Sequence, residues 1–476
     1  MTDNNEKASI DELFVLIADY VCEEKTFPDE TYRIAKYCLF DAISCTFLAY
    51  HNEACQKLLS PYFPVLASNC GAKVLGMNQI YDPMQTAFYN GILIRWLDFN
   101  DTWLAKEWGH PSDNLGAILA IADYLSRNNI QKISVKEILY YLIKAYEIQG
   151  NLALTNSFNA VGLDHVILVK VASAAVITHM LGGDYEQIID VLSQCFVDGN
   201  SLRTYRHAPN TGSRKSWAAG DACSRAVFLA SLVLRGEQGY DTALSAKKWG
   251  FEAVFLQGDK LVVTQPFNHY VVDNILFKIS YPAEFHSQTA LEATIQLYPI
   301  VKDKWHNIDK IVIDTHESAV RIISKTGPLH NASDRDHCLQ YIVAIGLIYG
   351  TMTSAHYQHP IADNALIDEL RGKMVVQENK QYSRDYLDSD KRSIANSVQI
   401  FFLDGTMTEK VEVHFPIGHK KRRKEGLALL EQKLYHALSY YFDEPKCIQY
   451  LSDFNDDEIL FSLSVEQLLD RYVQHD

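Results

Sequence analysis

Paired cysteines are missing from this chain. Its nine cysteines are an odd number, scattered, with no CxxC among them. Neither a disulfide framework nor a zinc or iron-sulfur cluster is indicated, and reduced, mostly buried thiols are expected. A basic excess is missing too: 44 Lys and Arg face 59 Asp and Glu, a formal charge of -15. That charge repels phosphate backbones and anionic lipid, which argues against nucleic acid or a membrane surface as the main partner. Apolar runs such as 171–181 stop well short of the ~20 residues that cross a bilayer. The first residues are polar and acidic and lead into an amphipathic helix, without the basic region and unbroken apolar core of a signal peptide, so a cytoplasmic location is expected. Walker, Rossmann and GxSxG signatures are absent, and no fixed-period repeat suggests a solenoid. His316-Glu317 opens an HExxH pattern, but Val320 stands where the second histidine belongs. His356 and His359 are three apart with Pro360 after them and no third ligand, so no metal site is expected.

What is present is an ordinary globular composition, 47% hydrophobic and 22% charged over 476 residues, long enough for two domains. From about Asp11 to Val262 the apolar residues keep helical spacing: Leu13, Ile17, Tyr20, Val21; Ile34, Tyr37, Cys38; Ile138, Tyr141, Leu142, Ala145; Val171, Ala175, Ile177. Short turn clusters at 26–29 and 182–184 join them, and strand-like alternation is hard to find. The pattern changes after Asn268. Residues 308–315 alternate like a half-buried strand, and 398–415 give two alternating runs around Asp404-Gly405, a hairpin signal. Helix-like stretches at 336–349 and 367–373 lie between. The basic run 419–424 reads as a solvated connector, and helical spacing resumes over 426–442. The expected architecture is mainly α: a helical domain over 1–268, a smaller inserted α+β domain over 269–416, and C-terminal helices over 417–476 that return to the first.

One stretch, residues 91–119, packs acid, base, aromatic and turn chemistry more densely than any other. It begins as the end of a buried helix. Asp98, Asn100, Asp101 and Thr102 then crowd together, and such side chains prefer local backbone hydrogen bonds to continued helix. Pro111 biases His110 toward extended geometry, Ser112 or Asp113 can cap the next helix, and Leu115, Ile118, Leu119, Ala122 and Leu125 mark its buried face. Asp98 and His110 therefore sit at the ends of two buried helices, where a carboxylate can orient a titrating ring. The same residues also end helices and fill turns, and the pattern alone leaves both readings open. A second feature is the loop holding Arg203, Arg206, His207, Arg214 and Lys215, with a helix expected from about Trp217. It reads either as a carboxylate-binding loop or as a solvated basic one.

The runs RWLDFNDTW, WGHPSDNLGAILAIADYLS, NTGSRKSWAAGDACSRAV and FKISYPAEFHSQTALEA resemble the MmgE/PrpD family, most closely those members that dehydrate 2-methylcitrate, and the similarity spans nearly the whole chain. The resemblance implies a large helical domain completed by the C-terminal helices and a smaller domain over the active site. It implies a hydro-lyase of propionate catabolism that needs no cofactor, takes a small tricarboxylate and forms a homodimer. Asp98, His110, His165, Lys215 and Tyr341 fall on the family's catalytic positions, Thr102 and Lys278 on positions that contact substrate. Arg203 and Arg206 are the further carboxylate ligands expected from the loop. Relatives also decarboxylate cis-aconitate or epimerise iminodisuccinate, and a non-catalytic helical binding protein is the alternative of another class.

Overall fold

A computed structural model describes residues 9–60, 70–207, 209–388 and 390–473. The acidic opening at 1–8 and Ala208 of the basic loop lie outside the described residues. Most elements are helices, and no described helix is long and apolar enough to cross a membrane.

The helix Val166–Met180 is buried at every position but His179. A helix apolar all round has no solvent face and must be enclosed, and here Val135–Thr155, Tyr185–Val197 and Arg214–Val233 pack around it. Beside it Pro83–Arg95, Leu115–Arg127 and Arg214–Val233 cross tightly. Glycine makes the crossing possible: a Cβ on Gly91 would stand 2.5 Å from the Gly220 Cα. The mainly α reading holds, with one correction in this part, where Ala72–Lys73 pairs antiparallel with Ile80–Tyr81. Two residues per strand leave no alternation to read.

A second apolar core forms around a four-stranded sheet ordered Met374–Glu378, Ile308–Thr315, Asn396–Phe402, Val411–Val413. The first pair is parallel and the other two are antiparallel. Gln288–Val301 packs against Leu339–Tyr349 and the Asn396–Phe402 strand. Met374–Glu378 went unread because it is a short edge strand with no fully buried side chain.

After residue 417 the chain rejoins the first core, where Leu427, Leu430, Leu434, Tyr450, Val465 and Tyr472 are buried. The helix Arg423–Ser439 packs on Asp29–Ala49. Two passages between the cores run side by side, with Phe277 N donating to Gly418 O at 3.3 Å. The basic run is a solvated connector only in part: Lys420, Lys421 and Lys424 are exposed, but its two arginines are held by the protein. Arg422 donates to Glu292, and Arg423 lies over Phe277 and donates to the carbonyls of Asp273 and Ile275.

Replacing Gly91 by alanine is expected to cost about 1–3 kcal/mol of stability, the usual penalty for overpacking. Chemical denaturation of G91A checks this, and an unchanged midpoint would mean that the helices can part at no cost.

Candidate active site

The helix Pro83–Arg95 stops where Asp98 takes φ 50°, a left-handed conformation that non-glycine residues seldom adopt. Two cations hold it there. Arg95 donates to the Asp98 carboxylate at 2.6 Å, and Lys278, 1% exposed, donates to both the carboxylate and the carbonyl of Asp98 at 2.7 and 2.8 Å. Burial opposes ionisation of Asp98, but Arg95 and Lys278 outweigh it and hold the group well below the usual carboxylate range. The loop then folds back: Thr102 exchanges backbone hydrogen bonds with Leu276, and Trp103 with Gly109. Trp103, buried, anchors the turn through its indole N–H to Gly150 O at 3.0 Å.

The expected helix caps are corrected by the same network. Ser112 donates through its hydroxyl to Asp101 at 2.7 Å, Asn100 donates to Ser112 and Asp113, and Tyr146 donates to the other Asp101 oxygen. These side chains are spent across the loop. The helix enters instead through a 3-10 turn, Pro111–Asn114, without a side-chain cap. Burial raises Asp101 and Asp113 to about 7.

His110 places its Nδ1 2.6 Å from the Asp101 carbonyl. A carbonyl only accepts, so Nδ1 carries the hydrogen and Nε2 keeps its lone pair. Nε2 lies 3.6 Å from Asp98 and Thr102 Oγ1 lies 3.4 Å from Nδ1. His165 stands at the start of Val166–Met180, its ring 6.0 Å from that of His110. Neither nitrogen of His165 has a hydrogen-bond partner. Nδ1 is 3.1 Å from Asp164, but the geometry is not that of a hydrogen bond. Gly109 makes room for the ring, since a Cβ there would meet it at 3.2 Å. Burial and Arg95 hold His110 well below the usual histidine range, and burial takes His165 down to about 3, so both rings are neutral near pH 7.

These groups line a cavity of about 340 Å³ between the two cores. Its cations are Arg95, Arg203, Arg206, Lys278, Arg321 and Lys325, against the carboxylates of Asp98 and Glu284. Arg206 is not free, because Asp164 takes its Nε and Nη2. Arg203 is different: it stacks over Trp108 at 5.3 Å, and its buried Nη1 has no partner. Arg214 turns away to Asp221 and Trp217, and its helix starts at Arg214 itself rather than near Trp217. Lys215 is buried but does not line the cavity. Both Asp336 oxygens take its ammonium, at 2.7 and 2.6 Å. Tyr341 also stays out: it donates to His356 O at 2.6 Å and stacks on Tyr357 within the second core. His356 accepts from Thr353, while His359 is paired with Asp363.

Residues 15–264 match the MmgE/PrpD N-terminal domain and residues 281–454 the MmgE/PrpD C-terminal domain. The chain belongs to the MmgE/PrpD family. It is 49% identical to the 2-methylcitrate dehydratase of Escherichia coli K12, with 99% of each chain covered. It is 48% identical to that of Cupriavidus necator, again over 99% of both. The mitochondrial 2-methylcitrate dehydratase of Yarrowia lipolytica is 47% identical, over 100% of this chain and 92% of that protein.

In this MmgE/PrpD chain the residues that sequence reasoning passed over are Arg95, Trp108, Glu284, Asp336 and His337. Glu284 borders the cavity and holds His286 Nδ1 at 2.7 Å, and the Nε2 of the same ring lies 3.1 Å from the Tyr386 hydroxyl. Arg95 had a readable signal, a lone cation inside an apolar helix end three residues before Asp98. Asp336 and His337 had none, since their partners lie on other elements far along the chain.

Lys215→Met is expected to cost roughly 3 kcal/mol, because it leaves the half-buried Asp336 without its cation. Adding Asp336→Asn should return part of that loss, as measured by a double-mutant cycle in urea. Strict additivity of the two changes would dissolve the pair.

Proposed function

We propose that this chain is a hydro-lyase that removes water from 2-methylcitrate to give 2-methyl-cis-aconitate. The names of relatives nearly half identical over the whole chain support the substrate. The single structural observation that carries the reading is Arg203: a buried guanidinium whose Nη1 has no hydrogen-bond partner among the described residues, in a cavity shared with two neutral histidines. A buried charged donor left without an acceptor is costly, and a substrate carboxylate is a group that removes the cost.

The elimination breaks a weakly acidic C–H bond beside a carboxylate and expels a hydroxyl. His110 is the base, its Nε2 lone pair facing the cavity while Nδ1 is fixed on Asp101 O. His165 lies against it on the same wall. Asp98 fixes Lys278 and Arg95, and these cations with Arg203 hold the carboxylates and the charge that grows on them as the C–H bond breaks. Residues 1–268 with 417–476 then form the body of the enzyme, and 269–416 cover the site. The same reading takes a small tricarboxylate as partner, a homodimer as assembly and the cytoplasm as location.

Incubating purified protein with 2-methylcitrate and following absorbance of the unsaturated acid tests the reaction. His110→Asn is expected to lower kcat at least ~100-fold with the fold intact, the contribution of a placed acid or base. Near-native rates would sink the assignment. Arg203→Ala should raise KM about tenfold or more, the cost of one lost charged contact. Activity is expected to survive EDTA and air, since no cysteine pair or complete histidine set was found in the sequence. Loss to the chelator with recovery on iron would overturn the cofactor-free mechanism. Carbon dioxide release from cis-aconitate without dehydration would move the function to decarboxylation.

A further inference from the structure

We propose that His337, held by Asp336 on the part of the cavity wall that the second core supplies, is the acid that protonates the departing hydroxyl. The inference rests on the dehydration reading and adds to it the proton donor that His110 and His165 do not supply.

Asp336 and His337 stand in the short link between Ala332–Arg335 and Leu339–Tyr349, both elements of the second core. His337 Nδ1 lies 2.6 Å from Asp336 Oδ1. That carboxylate also takes the Lys215 ammonium on both oxygens. Asp336 is therefore anionic and its Oδ1 accepts from Nδ1, the nearer of the two neighbours of that nitrogen, with the Lys215 ammonium 3.3 Å away, and Nε2 has no partner among the described residues. His337 lines the cavity, 26% exposed at its side chain. His110 and His165 come from the helical wall. The cavity thus presents imidazoles from both cores, and an elimination can use two, one for the C–H proton and one for the oxygen.

Their surroundings assign the roles. His110 rests on a neutral carbonyl with Arg95 nearby, so its protonated form has little support. His337 rests on a carboxylate, which stabilises an imidazolium. Burial and Lys215 still pull His337 below the ordinary histidine value, with Asp336 and Asp98 opposing. A bound tricarboxylate brings further negative charge and raises it. The step balances. His110 Nε2 takes the proton from the carbon beside a carboxylate, and that electron pair becomes the second bond of the C=C. The C–O bond breaks with its pair on oxygen, the oxygen takes the Nε2 proton of His337, and water leaves. His110 then returns its proton to solvent and His337 is recharged from it.

The groups that face His337 are Asp336 beside it, Lys215 from Arg214–Val233, Asp98 from the helical wall and Glu284 from the cavity rim. The test measures wild type, His110→Asn and His337→Asn on 2-methylcitrate, with kcat followed against pH. Asparagine can still reach Asp336 but cannot act as an acid. The expected result for His337→Asn is a kcat at least ~100-fold lower, KM within about threefold, and loss of the alkaline limb of the kcat profile, where wild type falls as the imidazolium deprotonates. His337→Gln, closer in volume, serves as the second variant if the first melts early. A kcat within threefold of wild type, or an alkaline limb that persists, overturns the proposal while His110→Asn remains inactive and the dehydration reading stands. No turnover by wild type overturns both.

Discussion

The Asp98 carboxylate, buried between Arg95 and Lys278, is the contact on which the rest of the site depends. It ends a helix, holds a left-handed residue in place, and ties the helical wall to the segment that leaves for the second core. Desolvating three charges is expensive, and only close pairing offsets the cost. Removing any one of them exposes the other two to that cost. The site floor is therefore rigid because its charges cannot separate without that penalty.

A second layer of the same logic surrounds it. Asp164 engages Arg206, Asp336 engages Lys215, and Lys433 reaches Asp41 and the carbonyls of Phe99 and Lys278. Each of these cations is already engaged by a carboxylate, and Arg206 still borders the cavity. The cation left over, Arg203, is distinguished by what it lacks. A protein of formal charge -15 can thus present a local positive field, since the surplus of acid elsewhere does not reach into a cavity walled by arginine and lysine.

Local chemistry was legible in the sequence where it depended on near neighbours. The helix break after Arg95, the buried face from Leu115 to Leu125, the strand over 308–315 and the turn at Asp404-Gly405 follow from spacing and turn residues within one segment. Partners on other elements, 42 or 121 residues away, were not legible. Nothing beside Lys215 announces Asp336, and nothing in 203–206 distinguishes Arg206, which Asp164 consumes, from Arg203, which stays open. A loop of cations reads as one binding feature, whereas the fold divides it into three cations engaged by carboxylates, Arg206, Arg214 and Lys215, and one, Arg203, with an unsatisfied Nη1. Tyr341 shows the same limit, since its hydroxyl goes to a carbonyl inside the second core.

The side-by-side passages at Phe277 and Gly418 also govern the order in which the molecule can assemble. The smaller core is drawn from one continuous stretch, so it can collapse as soon as that stretch has been synthesised. The larger core cannot, because Leu427 through Tyr472 fill it from beyond the insertion. The helices before the insertion keep part of their apolar surface uncovered until the last helices emerge and cover it.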